Sequence, residues 1–237
     1  MRLRDEARRA LALVLLLAGC AHAGHPSQAR SATLNVLALG DSYTIGEGVA
    51  PRDRWPSALV ALLSERGFEV APPVVVAKTG WTTDELAAAI PKQLPSPGTY
   101  SLVTLSIGVN NQYRGRDLEE YRGQFVSLLR QAVEFAGSDA SRVLVLSIPD
   151  WGVTPFAKDR DRARIAREID RFNAVNREET ERAGARYVDV TGISRRVAFD
   201  PAMVVDDGLH PSARAYADWA RAALPQAEAA LSRSAKP

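Results

Sequence analysis

Five apolar, β-rich runs separated by segments of helical spacing constrain this chain more than any other feature. The runs are Leu34–Leu39, Val70–Ala77, Leu102–Ile107, Val143–Ile148 and Tyr187–Val190. Each has strand length and is too short for a buried helix. Between them, Trp55–Arg66 puts Leu59, Leu62 and Leu63 on one face, and Thr83–Leu94 opens on a Thr-Thr-Asp-Glu capping sequence. Leu118–Phe135 aligns Tyr121, Phe125, Leu128, Leu129 and Ala132, and Arg162–Ala183 aligns Ile165, Ile169, Phe172 and Val175. A last helix is expected from about Ser212, with a kink or stop at Pro225. Parallel strands need crossover connections, usually helical, so this alternation predicts an α/β fold. The expectation is a three-layer α/β/α sandwich on a five-stranded parallel sheet. All carboxyl ends then share one edge, where open α/β sheets bind ligands.

The outer segments read differently. The 237 residues suit one domain with a short tail, and the net charge of +2 comes entirely from the first nine residues. The remainder holds 26 basic and 26 acidic residues, a balance that argues against nucleic acid as a partner. Residues 1–19 have the basic and apolar regions of an export signal, and the apolar run is too short to span a membrane. Two processing sites compete. Ala21-His22-Ala23 fits cleavage before Gly24, whereas Leu17-Ala18-Gly19-Cys20 resembles the bacterial lipoprotein box, in which Cys20 is lipidated. The lipoprotein reading is preferred. Cys20 is the only cysteine, which excludes an intrachain disulfide, and Ala21 after it implies an outer-membrane or surface destination. Residues 20–32 read as a flexible tether and 33–233 as the folded domain.

Within that domain, Ser42 follows the first strand almost at once. A serine there is a nucleophile, a phosphate contact or a turn residue. A serine nucleophile needs a base, usually histidine. Of three histidines, His22 and His25 lie in the leader or tether, so if an imidazole activates Ser42 it is that of His210. His210 stands in Asp206-Asp207-Gly208-Leu209-His210-Pro211, and Asp207 can fold back onto one ring nitrogen and fix the tautomer. Asp206 is the less familiar alternative. Acyl transfer also requires donors for an oxyanion. Gly80, after the second strand, can present a backbone N–H, and Asn110, after the third, a side-chain amide.

These blocks carry a resemblance. Gly40-Asp41-Ser42, Gly80, Gly108-Val109-Asn110 and Asp207-Gly208-Leu209-His210 occur in order across residues 37–212 and resemble the SGNH hydrolase superfamily, the GDSL esterases and lipases. The resemblance implies a flavodoxin-like sheet and Ser42 as nucleophile, with His210 as base then acid and Asp207 as its orienter. It also implies an oxyanion hole from Ser42 N–H, Gly80 N–H and Asn110. No metal or organic cofactor is implied. Two positions depart from the pattern: Asn111 stands where aspartate is usual, and Lys78 where asparagine is often found. Asn111 is expected to change local loop bonding rather than catalysis, and Lys78 to be a surface residue at a strand end.

Other readings fare worse. Gly46 and Gly48 begin a dinucleotide-type glycine pattern, but Pro51 takes the third position. No Gly-x-Ser-x-Gly elbow occurs, and the domain has too few nitrogen and sulfur ligands for a zinc site. A non-catalytic lipoprotein binding glycan or lipid stays open. So do lipid ester, short-chain ester, thioester and acetylated carbohydrate as substrates, and the oligomeric state. Tyr43, Trp81, Tyr113 and Trp151 lie beside strand ends, where they either line a pocket or cap the core.

Overall fold

The computed structural model describes residues 33–94 and 98–232. Strands β1 (Val36–Asp41), β2 (Val74–Lys78), β3 (Leu102–Ser106), β4 (Val143–Leu146) and β5 (Arg186–Val188) form one sheet in the order β2-β1-β3-β4-β5. Every neighbouring pair is parallel, so all five carboxyl ends meet on one edge. The expected export signal, the expected tether and Cys20 lie outside the described residues.

The three inner strands explain the continuous apolar runs. β1, β3 and β4 are buried along their whole length, with helices on both faces, so no residue on them faces water. On one face α2 (Trp55–Glu65) packs against α8 (Ala213–Ser232). On the other lie α3 (Thr83–Gln93), α5 (Leu118–Phe135) and α6 (Arg162–Arg182), each packed on the next. The short helices α1 (Ser42–Ile45), α4 (Val109–Tyr113) and α7 (Thr191–Ser194) follow β1, β3 and β5 at the shared edge. Buried rings anchor the layers: Trp55 and Trp219 are fully buried between the sheet and its α2/α8 cover, as are Tyr121 and Phe125 on the α5 side. Each such ring contributes several kcal/mol of burial, roughly 3–5 by truncation to alanine.

The structure departs from expectation at three places. The second strand begins at Val74 rather than Val70, because Pro72-Pro73 supply no N–H to the ladder. Only an isolated bridge between Leu34 and Val70 remains of its first half. α8 runs through Pro225 to Ser232 instead of stopping there. Pro225 is exposed, so the Arg221 carbonyl it leaves unbonded faces water, while Ala223, Leu224, Ala227, Ala230 and Leu231 hold the helix to the core. The segment after β3 is a short helix, α4, where the sequence pattern predicted no helix.

Candidate active site

Strand order puts β1 in the interior, with β2 reached on one side and β3 on the other. The chain reverses its direction of winding there, and a crevice opens beyond the carboxyl ends. Ser42 is the first residue of α1 and directly follows β1. Asp41 caps that helix by accepting the Tyr43 N–H at 3.0 Å. Gly40 is required by close approach: a Cβ there would stand 2.5 Å from the Ser106 carbonyl oxygen and 2.1 Å from Thr44 Oγ1.

His210 reaches Ser42 from 168 residues away, its Nε2 standing 2.9 Å from Ser42 Oγ. Its Nδ1 lies 2.6 Å from Asp207 Oδ2, while Asp207 Oδ1 accepts the backbone N–H groups of Leu209 and His210 at 2.7 and 2.9 Å. A single carboxylate thus closes the turn and fixes the ring. Partial burial works against the Asp207 charge, but the bonds from the His210 ring and the two N–H groups outweigh it and hold this carboxyl below its usual range. A charged Asp207 only accepts, so Nδ1 carries the proton and Nε2 is free to take one from Ser42. Asp207, not Asp206, meets the imidazole. Tyr43 lies against the His210 ring at 5.1 Å and stacks on Trp219 at 6.0 Å, so the imidazole rests on buried aromatic packing.

The other side of the crevice is built from the β2–α3 turn and α4. Gly80 has φ +84°, and Asn110 Nδ2 donates to the Trp81 carbonyl at 3.0 Å, leaving its second amide hydrogen unused by that bond. Ser42, Gly80, Asn110 and His210 border one cavity of about 170 Å³. Its far wall is aromatic: Tyr113, Trp151 and Phe156 meet at ring distances of 5.2 to 6.4 Å. Trp151 is fixed by its indole N–H, which donates to Gln112 Oε1 at 2.7 Å, and Gln112 Nε2 donates in turn to Glu168 at 2.8 Å.

Of the four aromatic residues singled out in the sequence, Tyr43, Tyr113 and Trp151 line the cavity, and Trp81 packs against the core instead. Phe156 was missed. It sits in the 3-10 turn Pro155–Ala157, distant from any strand end in sequence, and is brought in by its N–H bond to the Gly208 carbonyl at 3.0 Å. Lys78 is exposed at the end of β2 and does not border the cavity. Asn111 is buried: its Oδ1 accepts the Thr83 N–H at 3.1 Å, and its Nδ2 donates to Thr83 Oγ1 at 2.7 Å. Thr83 then donates to Gln124, so the unusual amide orients a hydrogen-bonded chain between α4, α3 and α5. Among the described residues, no group of three or more His, Cys, Asp or Glu could hold a metal ion.

The sequence matches the GDSL-like lipase/acylhydrolase family over residues 38–217. It is 26% identical to an arylesterase of Vibrio mimicus over 192 residues, covering 80% of this chain and 86% of the relative. Among solved structures, the fold is similar to TesA, with a TM-score of 0.65 and 22% identity over 83% of this chain and 99% of that one. It is also similar to Axe2, an acetylxylan esterase from Geobacillus stearothermophilus, with a TM-score of 0.63 and 21% identity over 82% and 94% of the two chains. A family match across most of the chain, on a parallel sheet of the expected kind, identifies this protein as an ester-hydrolysing member of the GDSL-like lipase/acylhydrolase family within the SGNH superfamily.

Proposed function

We propose that the chain is a serine esterase that works through an acyl-Ser42 intermediate, on neutral esters whose acyl group is short or aromatic. The observation that carries this reading is the continuous hydrogen-bonded line Asp207–His210–Ser42 ending in an aromatic-walled cavity. In the first half-reaction Ser42 Oγ attacks the acyl carbon and its proton passes to His210 Nε2. Asp207 stabilises the imidazolium. Charge gathers on the carbonyl oxygen, where the N–H groups of Ser42 and Gly80 and the Asn110 amide receive it. The tetrahedral adduct collapses, the alcohol leaves with the proton from Nε2, and the acyl group stays on Ser42. Water, deprotonated by the same nitrogen, then releases the carboxylic acid and restores the serine.

The cavity supports the substrate class. About 170 Å³ falls short of the roughly 300–1,000 Å³ of pockets for drug-sized ligands, which favours a short chain or one ring over a long acyl tail. Apart from the reacting groups, the polar side chains on the lining are Thr79, Tyr43 and Tyr113, with the Trp151 N–H already given to Gln112, so few groups are available to bond sugar hydroxyls. Acetylated carbohydrate is therefore the second choice, although Axe2 acts on such a polymer. Membership of an ester-hydrolase family weighs against a purely binding role.

We also propose that the enzyme is exported and held at the cell envelope through a lipid on Cys20. This rests on the apolar leader and the Leu-Ala-Gly-Cys box. Among the described residues no helix is long and apolar enough to cross a membrane. Labelling with a fluorophosphonate tests the nucleophile: wild type should label and Ser42→Ala should not. Equal labelling of both defeats the acyl-serine assignment. p-Nitrophenyl esters of graded length, run beside an acetylated xylooligosaccharide, test the substrate class, with turnover expected to fall beyond medium chain length.

A further inference from the structure

We propose that Arg114 is a positioning residue for this reaction, holding Gly80 so that its N–H stays aimed at the acyl oxygen. The proposal rests on the reading of Gly80 as an oxyanion donor. Gly80 has no side chain, and a Cβ built on it would find only Arg114 Nη2 within 4 Å, at 3.6 Å. No side-chain packing therefore restrains this glycine, and its left-handed φ of +84° lies in a region that glycine enters and leaves freely. The backbone bond across its turn, from Trp81 N–H to the Lys78 carbonyl, is long at 3.2 Å. Something else must keep the donor still.

Arg114 directly follows α4 and lies one turn beyond Asn110, its N–H bonding the Asn110 carbonyl at 3.0 Å. Its Nη2 donates to the Gly80 carbonyl oxygen at 2.6 Å, and its Nη1 to Glu85 Oε1 at 3.2 Å. Glu85 reaches back with its other oxygen to accept the Thr82 N–H at 2.9 Å. Arginine and glutamate thus form a bracket across residues 80 to 82. Inside it, Asn110 holds the Trp81 carbonyl, and Thr79 at the near end donates to Glu47. Each residue of the turn is tied at one or more backbone or side-chain atoms, and the tie on Gly80 itself comes from Arg114. A charged donor makes that bond a strong one.

A merely structural purpose fits poorly. The side chains of Arg114 and Glu85 are 40% and 41% exposed, and ion pairs this open contribute little to folding. What the bracket can change is the precision of a donor that must sit correctly in the transition state. Donors of that kind accelerate the chemical step without tightening the ground state.

The test compares Arg114→Met, Arg114→Lys and wild type on p-nitrophenyl acetate, with a tetrahedral boronic acid as inhibitor. Arg114→Met should lower kcat roughly ten- to a hundredfold, as lost supports of a catalytic group do, with KM within about twofold. Its boronate affinity should fall by a similar factor, and its urea midpoint should stay at the wild-type value. Lysine can still reach the carbonyl as a point-charge donor and should restore part of the loss. Unchanged kcat in Arg114→Met overturns the proposal, as does a loss carried by KM alone or one that follows a lowered urea midpoint. A Ser42→Ala control separates the two levels. An inert Ser42→Ala beside a fully active Arg114→Met removes the bracket alone, whereas a fully active Ser42→Ala removes the acyl-serine reading and the bracket with it.

Discussion

Ser42 and His210 stand in a wall of buried rings, whereas Gly80 and Asn110 stand in a lattice of hydrogen bonds beside solvent. In the first region Tyr43 lies between the imidazole and Trp219, and Ser42, Tyr43 and His210 are all less than a tenth exposed. Position there comes from close packing, which resists displacement because any shift opens a void. In the second region Tyr113 and Arg114 are exposed, and the space a Cβ on Gly80 would enter is open but for Arg114. Position there comes from directed polar contacts, each modest alone. The proposed chemistry matches this division. A proton must pass between two heavy atoms at fixed separation in the packed half, while the open half must admit a substrate.

The comparison can be broken first at its most demanding point. Ser42→Ala and His210→Ala should each lower hydrolysis of p-nitrophenyl acetate by several orders of magnitude, about 10⁴-fold or more, with the fold intact by circular dichroism. Residual turnover near wild type in either variant would sink the assignment. Trp219→Ala should cost roughly 3–5 kcal/mol of stability, seen as a lowered urea midpoint, because it empties the space beneath Tyr43. If the midpoint holds, the packed half is not packed in the sense argued above. Asn110→Ala should lower kcat about a hundredfold and leave stability nearly unchanged, which would separate the two halves by their failure modes. A change confined to KM would reassign Asn110 to binding.

A subtler test concerns Asp41. Burial pushes its carboxyl up from 3.8 to about 7, against the lowering effect of the Tyr43 N–H. The folded chain therefore keeps a proton that the unfolded chain releases. Stability should fall as pH rises from about 4 to about 7 and level off above, by on the order of 2–4 kcal/mol for this group. Asp41→Asn keeps an oxygen to cap α1 but has no proton to lose, so urea midpoints at pH 5 and pH 8 should differ less in the variant. An unchanged pH slope would assign that slope to other groups. The smallest effect belongs to the open half: Phe156→Ala should move stability by about 0.5 kcal/mol or less. It should also reduce kcat/KM for aryl and butyryl esters more than for acetyl, and equal losses on all three would remove Phe156 from the acyl wall.

How far each half could be read in the chain follows from the forces that build it. Asp207 and His210 are three residues apart, and His210 is the one histidine outside the leader and tether, so it could be paired with Ser42 across 168 residues by counting histidines. The inner strands were visible because burial on both faces makes them uniformly apolar. β2 at the sheet edge is as apolar in sequence although partly exposed, and what went unread there was Pro72-Pro73 as the limit that delays the strand to Val74. α4 was invisible because Val-Asn-Asn-Gln-Tyr is too short and too polar to show helical periodicity. Phe156 and Arg114 act through partners, Gly208 and Gly80, that are distant in sequence. A spacing of four between Asn110 and Arg114 was the one local hint, since such residues share a helix face.

The long separation between Ser42 and His210 has a consequence in time. The proposed nucleophile and all three proposed oxyanion donors lie within the first 110 residues, but the imidazole and the helix that supports it belong to the last stretch of the fold. During synthesis, therefore, a growing chain carries its serine long before any base can reach it. A chain stopped short of His210 would hold all five strands and, on the proposed mechanism, no means of activating its hydroxyl. On that mechanism, hydrolytic power arrives in one step, with the closing helix, rather than accumulating as the chain lengthens.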